Sequence, residues 1–256
     1  MLFLKKHSNF NSLRSFFKDI ALAHSVFALP FAAVGFLMVD FPNPSMSLVL
    51  KLVICMISAR TFAMGFNRFL DRDLDKANPR TAGRAIPAAK LSPILGLSFS
   101  LLAGLIFLLC AFSLGWVVGC LAVPLLIVLA SYSWMKRITW ISHFYLGFCL
   151  GLAPVAIGVV AGSMPISLLL LAFSVIFWVA GFDILYAVQD VNFDQKYGLH
   201  STPVRFGVAR SVWISRWCFV SMFILLLFVG LASQRGSPYY AGVLCVGAIL
   251  AYEHWL

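Results

Sequence analysis

"MSLVLKLVICMISARTFAMGFNRFLDRDLD" (46–75) decides the fold: an apolar run of some twenty residues ends abruptly in a cluster of aspartates and arginines. A helix needs roughly 20 such residues to cross the hydrocarbon core of a bilayer. The same pattern recurs outward in both directions, near 20–39, 46–66, 91–113, 115–134, 141–162, 166–188, 209–232 and 238–255. The first of these lacks a small-residue cleavage site after a short apolar core, so it reads as a true span. Composition agrees: the 256 residues are 62% hydrophobic and 11% charged, where soluble domains carry about 25% charge. The sequence predicts an all-α, polytopic transmembrane helix bundle of about eight spans, in one membrane domain covering 1–256.

Charge placement orients the spans. The net charge is +10, yet only Lys51 and Arg235 fall at connections after odd-numbered spans. The other basic residues lie in the N-terminal tail, at connections after even-numbered spans, or in the adjoining helix ends. The positive-inside rule then places the N-terminus and the loops at 67–90, 135–140 and 189–208 in the cytoplasm, in a cell (inner) membrane. A nucleic-acid surface is set aside, because these charges flank bilayer spans. The six cysteines and five histidines are scattered, with no CxxC pair, so neither a disulfide framework nor a zinc site is indicated.

The connections on the opposite side are tight turns, so the chemistry is expected on the cytoplasmic side. There the chain echoes itself. Residues 67–75 read N-x-x-x-D-x-x-x-D (Asn67, Asp71, Asp75), and 186–194 read Y-x-x-x-D-x-x-x-D (Tyr186, Asp190, Asp194). Each motif closes an even-numbered span and precedes a polar loop carrying Arg and Ser or Thr. Two related four-helix halves follow.

Positions four apart share a helix face, so Asn67, Asp71 and Asp75 form one column of oxygen ligands and Asp190 and Asp194 another. Stacked carboxylates repel, and near lipid such groups are functional by default. Mg²⁺ relieves the repulsion, because it takes oxygen ligands and is typically held by one or two carboxylates plus substrate phosphates. Two columns therefore predict two Mg²⁺ ions around a diphosphate. Asp73 lies off the column and is expected to be solvated. Arg68, Arg72, Arg80, Arg84, Lys136 and Lys196 are candidate diphosphate cations. Arg60 and Asp183, each seven residues before a motif aspartate, are candidates for the cavity wall, or else for each other's partner. An apolar cavity with a metal-held diphosphate at its mouth suits a long isoprenoid diphosphate. Tyr132 and Tyr186 are candidates for stabilising an allylic cation by cation–π attraction, or for simple interface tyrosines.

At these residues the sequence resembles the UbiA-type superfamily of intramembrane aromatic prenyltransferases. "NRFLDRDLDKANPRTAGRAIP" (67–87) looks like that family's first aspartate motif and "YAVQDVNFDQKYGLHSTPVRFG" (186–207) like its second. "SYSWMKR" (131–137) resembles its Y-x-x-x-K-R loop, and "HSVFALPFA" (24–32) its first helix. The resemblance implies about nine transmembrane helices and Mg²⁺-dependent transfer of a polyprenyl chain from its diphosphate to an aromatic acceptor. It implies that Asn67, Asp71, Asp75, Asp190 and Asp194 bind Mg²⁺–diphosphate, that Lys136 and the nearby arginines neutralise it, and that Arg137 or Arg60 faces the acceptor's carboxylate. The opening helix looks most like the 4-hydroxybenzoate branch; a menaquinone precursor, naphthoate- or futalosine-derived, is the alternative acceptor. With "AYEHWL" ending the eighth run, the bundle is expected to be one helix short of the family pattern.

Two other classes were weighed. A cation-coupled transporter would place ion sites near the bilayer midplane on broken helices, whereas both columns here sit at one rim beside phosphate-suited cations. CDP-alcohol phosphotransferases also use D-x-x-x-D, but they resemble D-G-x-x-A-R upstream, and "SAR" (58–60) lacks the Asp-Gly.

Overall fold

Ser45 and Ser92 open two of the long helices by the same device. Each hydroxyl accepts the amide N–H three residues on, Leu48 at 3.1 Å and Leu95 at 3.2 Å, satisfying a donor that has no partner inside the helix. The computed structural model describes residues 15–16, 29–41 and 44–255, with main chain only for 253–255. Residues 20–28 of the first expected span, and the start of "HSVFALPFA", lie outside the described residues.

The helices are α1 (Leu29–Met38), α2 (Met46–Leu70), α3 (Arg72–Ala77), α4 (Pro93–Leu114), α5 (Trp116–Ile138), α6 (Ser142–Ala161), α7 (Ile166–Ala187), α8 (Val191–Lys196), α9 (Thr202–Phe206), α10 (Val208–Ala232) and α11 (Ser237–Trp255). A 3₁₀ turn, Val188–Asp190, joins α7 to α8. Six long helices, α2, α4, α5, α6, α7 and α10, are apolar and long enough to cross a membrane, and α1 and α11 are shorter apolar helices. The protein is a multi-pass membrane protein. A single residue turns the chain from α4 to α5: Gly115, at φ 154° and ψ 154°, a conformation that a side chain would strain.

The helices gather into two compact units, with the division inside α5 between Ser133 and Trp134. In the first unit α2 packs along α4, where the buried Ser100 hydroxyl donates to the Phe62 carbonyl at 2.7 Å. Phe107, Ala111 and Ala122 form a core with Cys55 and Ala59, which brings in α5. The loop after the first aspartate motif is anchored as well, since Ala85, Ile86 and Leu91 are buried together with Phe16.

The second unit is built on α7, flanked by α6 and α10, with α1 against α6. Chain order puts α1 in the first half, but its packing puts it here. Ala180 and Ile184 are fully buried, and the Ser215 hydroxyl of α10 donates to the Gly181 carbonyl at 2.8 Å. Gly147 lets α6 lie directly on α7: a Cβ there would strike the Ile176 carbonyl oxygen. Small residues allow such close approach between helices in lipid. The tight contact sets His143, one turn before Gly147, beside Asp183.

Candidate active site

The first motif begins at the end of α2. Asp71 caps that helix, its N–H bonded to the Asn67 carbonyl at 2.9 Å, and the chain breaks there at φ −88° and ψ 5° before α3 starts. These angles lie in the sparsely populated bridge region, where active-site residues recur. The Asp71 carboxylate is 3% exposed and accepts the Asn67 amide N–H at 2.9 Å. Asn67 also donates to the Ser133 hydroxyl at 3.4 Å and accepts from Arg68 at 3.3 Å. Asn67 thus stands between a carboxylate and a guanidinium and orients both.

One turn on, Asp75 is also buried, and Arg84 donates to its Oδ1 at 2.6 Å. The loop is folded to deliver that arginine. Thr81 donates its hydroxyl to the Asp75 carbonyl at 3.0 Å, and the Arg84 N–H bonds the Thr81 carbonyl at 3.0 Å. The other carboxylate oxygen, Asp75 Oδ2, is buried with no hydrogen-bond partner. A buried acceptor left unmatched costs about 1–3 kcal/mol, and more when charged. Such an atom is open to a further partner, a water or an ion. Asp73 points outward at 84% exposure, 3.7 Å from Arg72. Arg72 itself bonds the Phe69 carbonyl at 2.9 Å and lies over the Phe69 ring.

The second motif repeats the break. Asp190 ends the 3₁₀ turn at φ −103° and ψ 3°, and α8 starts after it. The continuous helical columns expected from the spacing are therefore each interrupted at the middle aspartate. Spacing alone is blind to this, because a residue at the bridge angles still keeps its neighbours four apart nearly in line. Asp190 is half-buried. Asp194 is 8% exposed, with Ser201, Lys136 and His143 within electrostatic reach, and its carbonyl accepts the Leu199 N–H at 2.8 Å. Lys136 is held in turn: its carbonyl accepts the His200 N–H at 2.6 Å.

Asp183 takes a partner the sequence did not suggest. His143 Nδ1 lies 2.7 Å from Asp183 Oδ2, and His143 Nε2 accepts the Thr202 N–H at 3.2 Å. Tyr186 is 45% exposed and stacks on Phe182, which stacks in turn on Trp178. These rings extend the Asp190–Asp194 register back along α7 at four-residue steps. Arg60 and Tyr132 are half-buried on α2 and α5. Arg80 and Arg137 are exposed, as is Lys196, which lies over the Tyr197 ring.

Among the described residues no three His, Cys, Asp or Glu side chains converge as a self-sufficient metal cage. Mg²⁺ needs no such cage, because it keeps waters and completes its shell with substrate phosphate oxygens. The orphaned Asp75 Oδ2 and the all-oxygen donor set fit such an ion.

Apolar helices carrying aspartate pairs beside phosphate-suited cations mark a membrane protein with a candidate active site. A family model described as the UbiA prenyltransferase family matches residues 28–256. The chain belongs to that family and is a prenyltransferase. It is similar to the 4-hydroxybenzoate octaprenyltransferase of Tolumonas auensis, 31% identical over 214 residues, covering 83% of this chain and 74% of that protein. The enzyme of the same name from Serratia proteamaculans is 30% identical over 216 residues, covering 82% and 72%. Among solved structures, the apo UbiA homolog from Aeropyrum pernix K1 matches at TM-score 0.84 and 25% identity, covering 91% of this chain and 88% of that one. A UbiA homolog from Archaeoglobus fulgidus bound to DMAPP and Mg²⁺ shares the fold at TM-score 0.77 and 21% identity, covering 94% and 86%.

Proposed function

We propose that this enzyme transfers a polyprenyl group from polyprenyl diphosphate to the ring of 4-hydroxybenzoate, using Mg²⁺ held by its two aspartate motifs. The observation that carries the reading is Asp75, buried with one oxygen fixed by Arg84 and the other unmatched. Support for the acceptor comes from the relatives named for it. Bound Mg²⁺ stabilises the charge that develops on the departing diphosphate.

Asp71 and Asp75 serve one ion and Asp190 and Asp194 the other, with Asn67 orienting Asp71. Arg68, Arg80, Lys136 and Lys196 neutralise diphosphate oxygens; Arg72 is engaged with Phe69 at the end of α2, and Arg84 holds Asp75. The allylic C–O bond breaks and its electron pair leaves with the diphosphate. The ring carbon ortho to the phenolic hydroxyl then attacks the allylic carbon and loses its proton. Tyr132 and Tyr186 offer ring faces to the cation, and Arg137 or Arg60 pairs with the acceptor carboxylate. The charge distribution of the loops supports a site that opens to the cytoplasm.

The test is transfer from a radiolabelled polyprenyl diphosphate in membranes, with candidate acceptors offered separately and with or without EDTA. Prenylation of 4-hydroxybenzoate that EDTA abolishes is expected. Transfer only to a naphthoate- or futalosine-derived acceptor would overturn the assigned substrate, and no metal-dependent transfer to any acceptor would overturn the reaction.

A further inference from the structure

The second motif is held by a network that reaches well outside it. His143 is 4% exposed at the start of α6, and Thr202 is fully buried at the start of α9. The stretch 200–202 is tied to 136–143 at three points. The His200 N–H bonds the Lys136 carbonyl at 2.6 Å, and the Thr202 hydroxyl bonds the Trp140 carbonyl at 3.3 Å. The Thr202 N–H, at 3.2 Å, bonds His143 Nε2. Ser201 is fixed between the other two, and the Leu199 N–H just before them bonds the Asp194 carbonyl at 2.8 Å.

The donor at Nε2 fixes the tautomer. A backbone N–H can only donate, so Nε2 offers its lone pair and carries no proton. The ring proton therefore sits on Nδ1 and is donated to Asp183 Oδ2, 2.7 Å away. A ring engaged on both nitrogens has no capacity left for proton transfer to a substrate. Its work is geometric: Asp183 on α7 fixes the ring, the ring fixes Thr202, and Thr202 fixes the 199–202 segment that bonds Asp194. Outer partners of this kind orient metal-binding carboxylates, and losing one typically weakens metal affinity about 10–100-fold.

We infer that His143, clamped by Asp183, is the positioning residue of the second aspartate motif, acting through the Ser201–Thr202 main chain on Asp194. The inference rests on Asp194 serving Mg²⁺–diphosphate, and it gives Asp183 a role other than lining the acceptor cavity. Two conservative substitutions separate the ring nitrogens. In His143→Asn the amide nitrogen overlays Nδ1 and keeps the bond to Asp183, while the acceptor for Thr202 is lost. In His143→Gln the amide reaches the Nε2 position and can still accept the Thr202 N–H.

The readout is binding of geranyl S-thiolodiphosphate with Mg²⁺ to the full chain in detergent, measured by titration calorimetry beside a thermal melt. We expect His143→Asn to weaken binding about tenfold or more, and His143→Gln to stay within about threefold of the parent protein. A role confined to stability would lower the melting midpoint of both and leave affinity unchanged, which would overturn the inference. Equal weakening by Asn and Gln would overturn the assignment of Nε2. Asp194→Ala is the control: its loss of binding upholds the underlying metal reading even if His143 fails, whereas parent-like binding by Asp194→Ala overturns both.

Discussion

Each aspartate motif must keep its distal carboxylate buried and correctly aimed, and the two do so by different means. In the first, Asp75 is gripped by a guanidinium nine residues on, at 2.6 Å. In the second, the Leu199 N–H bonds the Asp194 carbonyl at 2.8 Å, and the motif's support passes through main chain to the His143 imidazole. The first motif carries its counter-charge within its own loop. The second depends on α6, distant in sequence, staying in close contact with α7. The common element is the break: Asp71 and Asp190 sit at nearly the same torsion angles, φ −88° and −103°. A helix end there sets each middle aspartate at the junction of two helical segments, no longer inside a regular helical face.

Removing the middle carboxylate of either motif should have the largest effect and erase the difference between them. Asp71→Ala or Asp190→Ala is expected to lower turnover about a thousandfold, the loss of several kcal/mol of metal-assisted stabilisation, with the detergent melt little changed. Retained turnover in either would remove that motif from the catalytic site.

Arg84→Met tests the first motif alone. It leaves the buried Asp75 without its one hydrogen-bonded partner, at a cost of about 1.5–3 kcal/mol. A lowered melting midpoint that Mg²⁺ with a diphosphate partly restores is expected, since a bound cation takes over the lost charge. A midpoint equal to that of the parent would show that Arg84 is not what stabilises Asp75.

The mirror test on the second motif is Gly147→Ala. Its added methyl meets the Ile176 carbonyl and pushes α6 from α7, an overpacking cost of about 1–3 kcal/mol. Diphosphate binding should weaken with it, because His143 and Asp183 are drawn apart. Unchanged binding would mean that the helix contact does not reach the motif. Smallest of all is Asp73→Asn, which removes a charge on an 84% exposed side chain. Turnover should stay within about twofold of the parent, since exposed ion pairs contribute little; an inactive variant would place Asp73 in the site.

What the sequence made legible follows from range. The spans could be read because each apolar run must satisfy the bilayer by itself. Met46–Leu70 and Val208–Ala232, for example, begin within a residue of where the hydropathy pattern places them. The paired aspartates could be read because a spacing of four is a local property. The helix breaks could not, since N-x-x-x-D-x-x-x-D is compatible with a continuous helix and with one interrupted at its middle residue. Nor could His143: its partners lie 40 and 59 positions away, and one histidine in an apolar stretch carries no spacing signal. Arg84 was among the cations expected near the diphosphate. Its bond to Asp75 depends on the turns at Asn78–Arg84, a loop geometry that composition does not encode.

The central claim is the proposal that each aspartate motif takes part in holding metal when a diphosphate is bound. The most direct measurement is the number of Mn²⁺ ions, replacing Mg²⁺, bound per chain in the presence of geranyl S-thiolodiphosphate, read by electron paramagnetic resonance on the full chain. We predict two for the parent protein and fewer for both Asp71→Ala and Asp190→Ala. No bound metal in the parent, or undiminished metal in either variant, would contradict the account.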